Sequence, residues 1–414
     1  MEVPTFVDPI IYLDNAATVY PKPPKILDAS LELYKRFGVN PGRSGYDLCM
    51  IGGELVQETR EKLTQFFGGT DPDRLCFAYN ASDALNLLIQ GMVEPGDHVI
   101  STTVEHNSVI RPLNHLRRDH GVTVDYVPTA ADGVVDPWEI AKLVRSQTKL
   151  VVVNHGSNVI GAVQPIAEIG AICRERGIRF IVDTAQTAGV IPINVQEMQI
   201  DALAFTGHKS LLAPTGIGGT YVAEGVEVKH TRAGGTGVRS AYPYHLDEYP
   251  FRLEVGTPNV LGIIGLHEAQ NYIAERGLDE IYRHEMALFT TLQKGLEEIE
   301  EVTLHGTKKL ENRLPVLSFT VEGWDPADVG MLLDGDHNIA CRTGLQCAPL
   351  IHDQMGTSPR GTVRLSVGPM NVESDVQAAI AGVRDIAEAR RTAKMPRQAA
   401  SASHGHVRLV VDES

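Results

Sequence analysis

RFIVDTAQTAGV, residues 179–190, and DALAFTGHKSLLAPTGIGG, residues 201–219, decide the fold. Each opens on a short apolar run and then breaks into small and polar residues, the pattern of a buried strand running into a loop. The first run delivers Asp183 to a strand end, and the second delivers Lys209 to a loop of small residues. Reading outward, RLCFAY (74–79), HVISTTV (98–104), TVDYVPT (123–129), KLVVVNH (149–155) and GTYVAE (219–224) are further strands. Amphipathic stretches such as SDALNLLIQGM (82–92) and IAEIGAICRERG (166–177) lie between them. This alternation predicts an α/β fold with a mostly parallel sheet flanked by helices. Ligands of such sheets gather at the carboxyl ends of the strands, which is where Asp183 and Lys209 fall.

The remaining chain is expected to form a second unit. From about residue 259 a long helical region leads to the strand LPVLSFTV (314–321), the helix PADVGMLLD (326–334), a loop from Cys341 to His352, the strand TVRLSV (362–367) and a last helix from Val372. That is the pattern of a smaller α+β domain. The expected division is an N-terminal arm over 1–20, a large domain over 21–258, a small one over 259–391 and a disordered tail over 392–414, whose Ala, Ser and basic residues bury little. No run of apolar residues is long enough to span a membrane. The net charge of −15, from 37 basic and 52 acidic residues, disfavours nucleic acid as a partner. The start of the chain lacks the features of a signal peptide, so the cytoplasm is expected. Five cysteines are an odd number in a long chain and point to reduced thiols rather than a disulfide framework.

The lysine and the acid have ordinary readings when taken singly: a lysine after a strand is usually a surface charge, and a strand-end Asp usually caps a helix. Together they suit another chemistry. An amine that forms an imine must be partly deprotonated, which a desolvated site near other cations achieves for Lys209. A buried carboxylate such as Asp183 can hold a proton on a pyridine nitrogen and so maintain an electron sink.

Seven segments in one order then carry a resemblance: LDNAAT (13–18), VEHNS (104–108), VDTAQTAG (182–189), TGHKSLLAPTGIGG (206–219), EVGTPN (254–259), RTGLQCAP (342–349) and VRLSVGPMN (363–371). The chain resembles the cysteine desulfurase and selenocysteine lyase family, pyridoxal 5'-phosphate (PLP) enzymes of fold type I in the class V aminotransferase group. The resemblance implies a homodimer that converts L-cysteine to L-alanine and leaves a persulfide on an enzyme thiol for an acceptor. Selenocysteine is the alternative substrate. Another class V lyase, epimerase or transaminase is the alternative chemistry, and a non-enzymatic sulfur-relay or interaction protein the alternative of a different kind.

Residue by residue, the resemblance implies that Lys209 holds PLP as a Schiff base, Asp183 faces the pyridine nitrogen and His106 stacks on the ring. Gln186 meets the phenolic oxygen. Ala81 and Ser82 open a helix at the phosphate, where free N–H groups and the helix dipole favour an anion, and relatives often carry two threonines there. Thr206 and His208 are further phosphate ligands, and Thr257 reaches the phosphate of the neighbouring subunit. Arg364 binds the substrate carboxylate with its planar fork, assisted by Asn158, and Arg43 lines the entrance. Cys347 is the nucleophile, with Arg342 near enough to favour its thiolate. Cys341 is an extra thiol that either accepts sulfur or packs. A zinc site at Cys341, Cys347 and His352 is disfavoured by its wide spacing and missing fourth ligand, so no metal is expected. TGIGGTYV lacks a dinucleotide-binding fingerprint, and no Walker-type loop is present.

Overall fold

A computed structural model describes residues 10–42 and 44–392. The expected disordered tail therefore lies outside the described residues, apart from Thr392. The chain enters through a two-residue strand, β1 (Ile11–Tyr12), and two helices, α1 (Pro24–Phe37) and α2 (Asp47–Phe66). The main sheet follows, built from β2 (Leu75–Ala78), β3 (His98–Thr102), β4 (Thr123–Val127), β5 (Thr148–Asn154), β6 (Arg179–Asp183), β7 (Ala202–Thr206) and β8 (Gly218–Val222). Its spatial order is β2-β8-β7-β6-β5-β3-β4. Neighbours are parallel except at β8, which runs against both β2 and β7. The α/β architecture expected from the sequence is present.

The helices α3 (Ala81–Met92), α4 (Asn107–His120), α5 (Pro137–Leu143) and α6 (Ile166–Arg176) connect the strands. Two apolar layers hold them in place. Val151, Val153, Phe180, Val182, Leu203 and Phe205 face one layer, while Leu150, Val152, Ile181, Ala202 and Ala204 face the other. The period of two in the strands thus feeds two cores, which is why these runs are apolar throughout rather than alternating.

Two long helices, α7 (Val260–Arg276) and α8 (Leu278–Glu297), lead to a second sheet. It contains β9 (Val302–His305), β10 (Val316–Val321), β12 (Arg342–Gly344) and β13 (Thr362–Ser366), interleaved with α9 (Pro326–His337), β11 (Ile339–Ala340) and α10 (Pro349–Met355) and closed by α11 (Glu373–Thr392). The order is β12-β13-β10-β9, antiparallel throughout. The stretch from Cys341 to His352, expected as one loop, instead contains β12 and the start of α10. Arg342–Gly344 gains its strand geometry by pairing with β13, a tertiary effect invisible in three residues of sequence. The entering arm is also anchored: β1 pairs in parallel with β11, and Asp14 bridges to Ser366.

Candidate active site

The carboxyl ends of five strands converge on one cavity of about 340 Å3. β2 leads to Ala81 and Ser82, β3 to His106, β5 to Asn158, β6 to Asp183 and Gln186, and β7 to Thr206, His208 and Lys209; all of them line it. Arg342, Gln346, Cys347 and Arg364 close it from the second sheet, and Ala16 and Ala17 from the entering arm. Two further candidates remain, Arg43 and Thr257, the second expected at the neighbouring subunit's site rather than in this cavity. Arg43 lies outside the described residues. Thr257 lines a separate cavity of about 440 Å3, together with Arg60, Tyr79, Arg232 and Glu254. That space is roomier, but no lysine lines it among the described residues, whereas Lys209 lines the smaller one.

Lys209 is half-buried at the cavity wall. Protein atoms crowd its amine, and this desolvation pushes its pKa down to about 8; the Asp183 carboxylate opposes the shift and the Arg364 guanidinium adds to it. Near neutral pH an appreciable fraction of the amine is therefore uncharged and nucleophilic. Its backbone is fixed from the arm: the His208 carbonyl accepts from Val19 N at 3.1 Å, Thr18 Oγ1 at 3.1 Å and Lys22 Nζ at 2.8 Å. Lys22, itself pushed down to about 8 by burial, was not evident from the sequence.

Asp183 is buried at the end of β6, where Ala185 N donates to Oδ1 at 2.9 Å. Burial raises its pKa, with the Ala185 amide and the Lys209 charge working the other way. A carboxylate so placed is costly without a cationic partner. His106 serves two structural ends at once. It lines the cavity, and its Nδ1 accepts from Ser108 N at 3.0 Å, which makes it the N-cap of α4. Burial, followed by the charges of Lys209, Arg111 and Arg364, pushes the imidazole down to about 4, so the ring is neutral with its proton on Nε2.

The same cavity also carries features that suit an anion. Ala81 and Ser82 occupy the first turn of the 12-residue α3, whose cap is the Asn80 side chain accepting from Asp83 N. Thr206 Oγ1 and His208 Nδ1 are buried and have no hydrogen-bond partner among the described residues. Orphaned polar atoms of this kind cost about 1–3 kcal/mol each unless a ligand or water satisfies them. Burial pushes His208 down to about 4.

Arg364, 2% exposed on β13, carries the third feature. Its Nη1 donates to Asn158 O at 3.0 Å, its Nη2 pairs with Asp14, and Nε has no partner among the described residues. Burial lowers the guanidinium pKa and the Asp14 carboxylate counteracts this. Asp14 belongs to the quoted LDNAAT segment, yet nothing local revealed that it meets an arginine 350 positions away. Cys347 is exposed at the cavity, whereas Cys341 is half-buried against the core of the second sheet and burial pushes its thiol up to about 12. No metal-binding cluster of His, Cys, Asp or Glu occurs among the described residues.

The family model for class-V aminotransferases matches residues 11–379. A probable cysteine desulfurase of Methanothermobacter thermautotrophicus is 34% identical over 89% of this chain and 92% of its own length. This chain belongs to the cysteine desulfurase family of class-V aminotransferases. A cysteine desulfurase of Escherichia coli is 30% identical over 91% of this chain and 93% of its own. The solved apo structure of a cysteine desulfurase from Thermococcus onnurineus superposes with a TM-score of 0.85 at 33% identity, covering 92% of this chain and 95% of that one. The family is PLP-dependent, and the residues present fit that cofactor: a partly deprotonated Lys209, a buried Asp183, the start of α3 at Ala81 and Ser82, and the unpartnered Thr206 Oγ1 and His208 Nδ1. Each lines the same cavity.

Proposed function

We propose that the protein is a cysteine desulfurase in which Cys347 receives the sulfur of L-cysteine. The observation that carries this reading is the single cavity shared by Lys209, Asp183, Arg364 and an exposed Cys347. PLP, when bound, supplies an electron sink that labilises the bonds at the substrate's α-carbon. Lys209, Asp183 and the neutral His106 would hold its ring, Gln186 its phenolic oxygen, and Ser82, Ala81, Thr206 and His208 its phosphate. The Arg364 guanidinium grips the substrate carboxylate, with Asn158 beside it. Lys209 Nζ shuttles the substrate's α-proton. The Cys347 thiolate then attacks the substrate sulfur, the Cβ–S bond breaks, and the thiol becomes a persulfide while alanine leaves. The step balances without an outside oxidant, since cysteine and a thiol become alanine and a persulfide.

Homodimer formation is part of the proposal. Thr257 lies outside the Lys209 cavity, and the exposed Tyr79, Tyr242 and Tyr244 provide apolar surface for a second copy. The five cysteines form no disulfide among the described residues, which is consistent with a reducing compartment such as the cytoplasm, and no helix among the described residues is long and apolar enough to cross a membrane. The test is to supply the PLP-loaded protein with L-cysteine and quantify alanine, keto acid and transferred sulfur. Equal yields of alanine and thiol-bound or released sulfur are expected. Keto acid in place of alanine would replace the reading with a transaminase, and activity confined to selenocysteine would replace it with a lyase.

A further inference from the structure

Gln346 and Cys347 are consecutive non-glycine residues with φ of +41° and +60°. Left-handed backbone is unfavourable for side chains with a Cβ, and two such residues in succession persist only where their surroundings overdetermine them. The surroundings here are specific. The Gln346 side chain is buried; its Nε2 donates to Thr362 O at 2.9 Å, and its Oε1 meets His352 Nε2 at 2.9 Å. Because the amide nitrogen is committed to a carbonyl, Oε1 accepts and His352 Nε2 must donate. His352 Nδ1 then accepts from Thr357 Oγ1 at 2.8 Å. His352 has no exposed surface, so any effect it has on the cavity passes through Gln346.

The same loop is tied to the substrate-binding wall. Asn158 Nδ2 donates to Gln346 O at 2.7 Å, and the Asn158 carbonyl accepts from Arg364. On the far side Asn107 N donates to Cys347 O at 2.7 Å. The helix carrying His352, α10, is clamped to the main sheet's loops by Ile351 packing with Val104 and Val159, and by Gln354 bonding to Thr129 and Thr103. A continuous hydrogen-bonded chain, buried except at Thr357, therefore links Thr357, His352, Gln346, Asn158 and Arg364, with Cys347 adjoining its middle.

We propose that Gln346 and His352 are positioning residues: a latch that holds the Cys347 loop in its left-handed form, so that the thiol is presented at a fixed place relative to a substrate held by Arg364. The proposal rests on Cys347 being the sulfur acceptor, and its test separates the two claims. Displacement of a reacting atom by about 1 Å can cost about 100-fold in rate while leaving binding intact. In the PLP-loaded protein, His352→Leu and Gln346→Leu are expected to keep the spectral change on cysteine binding at wild-type concentrations but slow persulfide formation by about 10-fold to 100-fold. His352→Gln retains an N–H donor towards Gln346 and is expected to recover most of that loss. Thr357→Val, at the half-buried far end of the chain, is a milder variant that tests the same chain should the leucine variants fail to fold, and it is expected to slow the same step alone.

A reading that needs no turnover is the rate at which iodoacetamide alkylates Cys347. It is expected to rise in the leucine variants, because a released loop swings the thiol towards solvent, and to stay near wild type in His352→Gln. Wild-type persulfide formation and alkylation in the variants, or equal losses of binding and persulfide formation, would overturn the latch. A wild-type protein that makes no persulfide on Cys347, yet shows the alkylation differences, would sink the desulfurase reading while leaving the latch in place.

Discussion

The two walls of the cavity are built in different ways. The wall that carries Lys209 consists of strand ends of one parallel sheet, with Asp183, Thr206, His208 and Lys209 falling within a short stretch of chain. The wall that carries Cys347 comes from the second sheet, and its backbone is held left-handed by contacts to Asn107, Asn158, Thr362 and His352. The first wall follows from local geometry, since a strand end puts its next polar residue in the crevice whatever else the chain does. The second depends on tertiary partners. Imine chemistry and sulfur transfer should therefore be separable, and five substitutions test whether they are.

The largest effect is expected at Lys209. Lys209→Ala removes both the imine-forming amine and the proton shuttle, so turnover should fall by about 1,000-fold or more. Borohydride treatment of the PLP-loaded wild type should fix a pyridoxyl group on Lys209 that this variant lacks, as read by peptide mass spectrometry. An adduct on another residue would break the comparison at its first wall.

Cys347→Ser comes next and tests the second wall. Hydroxyl is a poor nucleophile towards sulfur, so alanine formation from cysteine should drop by about 100-fold or more while the cysteine-binding spectrum persists. Cys341→Ser should keep most of the activity, because that thiol packs against the core of the second sheet and burial disfavours its thiolate. Normal alanine yield from Cys347→Ser would show that the two walls are not divided in this way.

Arg364 joins the walls, and Arg364→Lys is expected to be intermediate. Exchanging the planar fork for a point charge forfeits a charge-assisted hydrogen bond of about 2 kcal/mol, or about 30-fold in kcat/KM. KM should rise and kcat fall together, because a tilted substrate is also misaligned for proton removal. A change in KM alone would restrict Arg364 to binding.

The smallest effect is a pH shift. Because the neutral amine captures PLP, incorporation into the apoprotein should speed up as pH rises and level off near the Lys209 pKa of about 8. The Asp183 carboxylate raises that pKa, so Asp183→Asn should move the bend to lower pH. A bend that moves upward, or does not move, would separate Asp183 from the amine.

The same contrast explains what could be read from the sequence. The parallel sheet, Asp183 and Lys209 were legible because apolar runs followed by small residues announce strand ends. The strand β9 escaped notice because VTLH, residues 302–305, alternates over only four residues at the edge of its sheet, too short a run to stand out after a long helical stretch. Helix α10 left a usable sign, a proline at its first turn and a glycine after its last. The pairing of Asp14 with Arg364, and of Gln346 with His352, left none, because packing alone brings those side chains together.

The most direct measurement is to mix PLP-loaded protein with one equivalent of L-cysteine, quench with an alkylating agent and map the thiols by mass spectrometry. The account predicts alanine in step with one added sulfur on Cys347 and none on Cys341. Alanine formed with Cys347 still a plain thiol, or the sulfur found on a different cysteine, would contradict it.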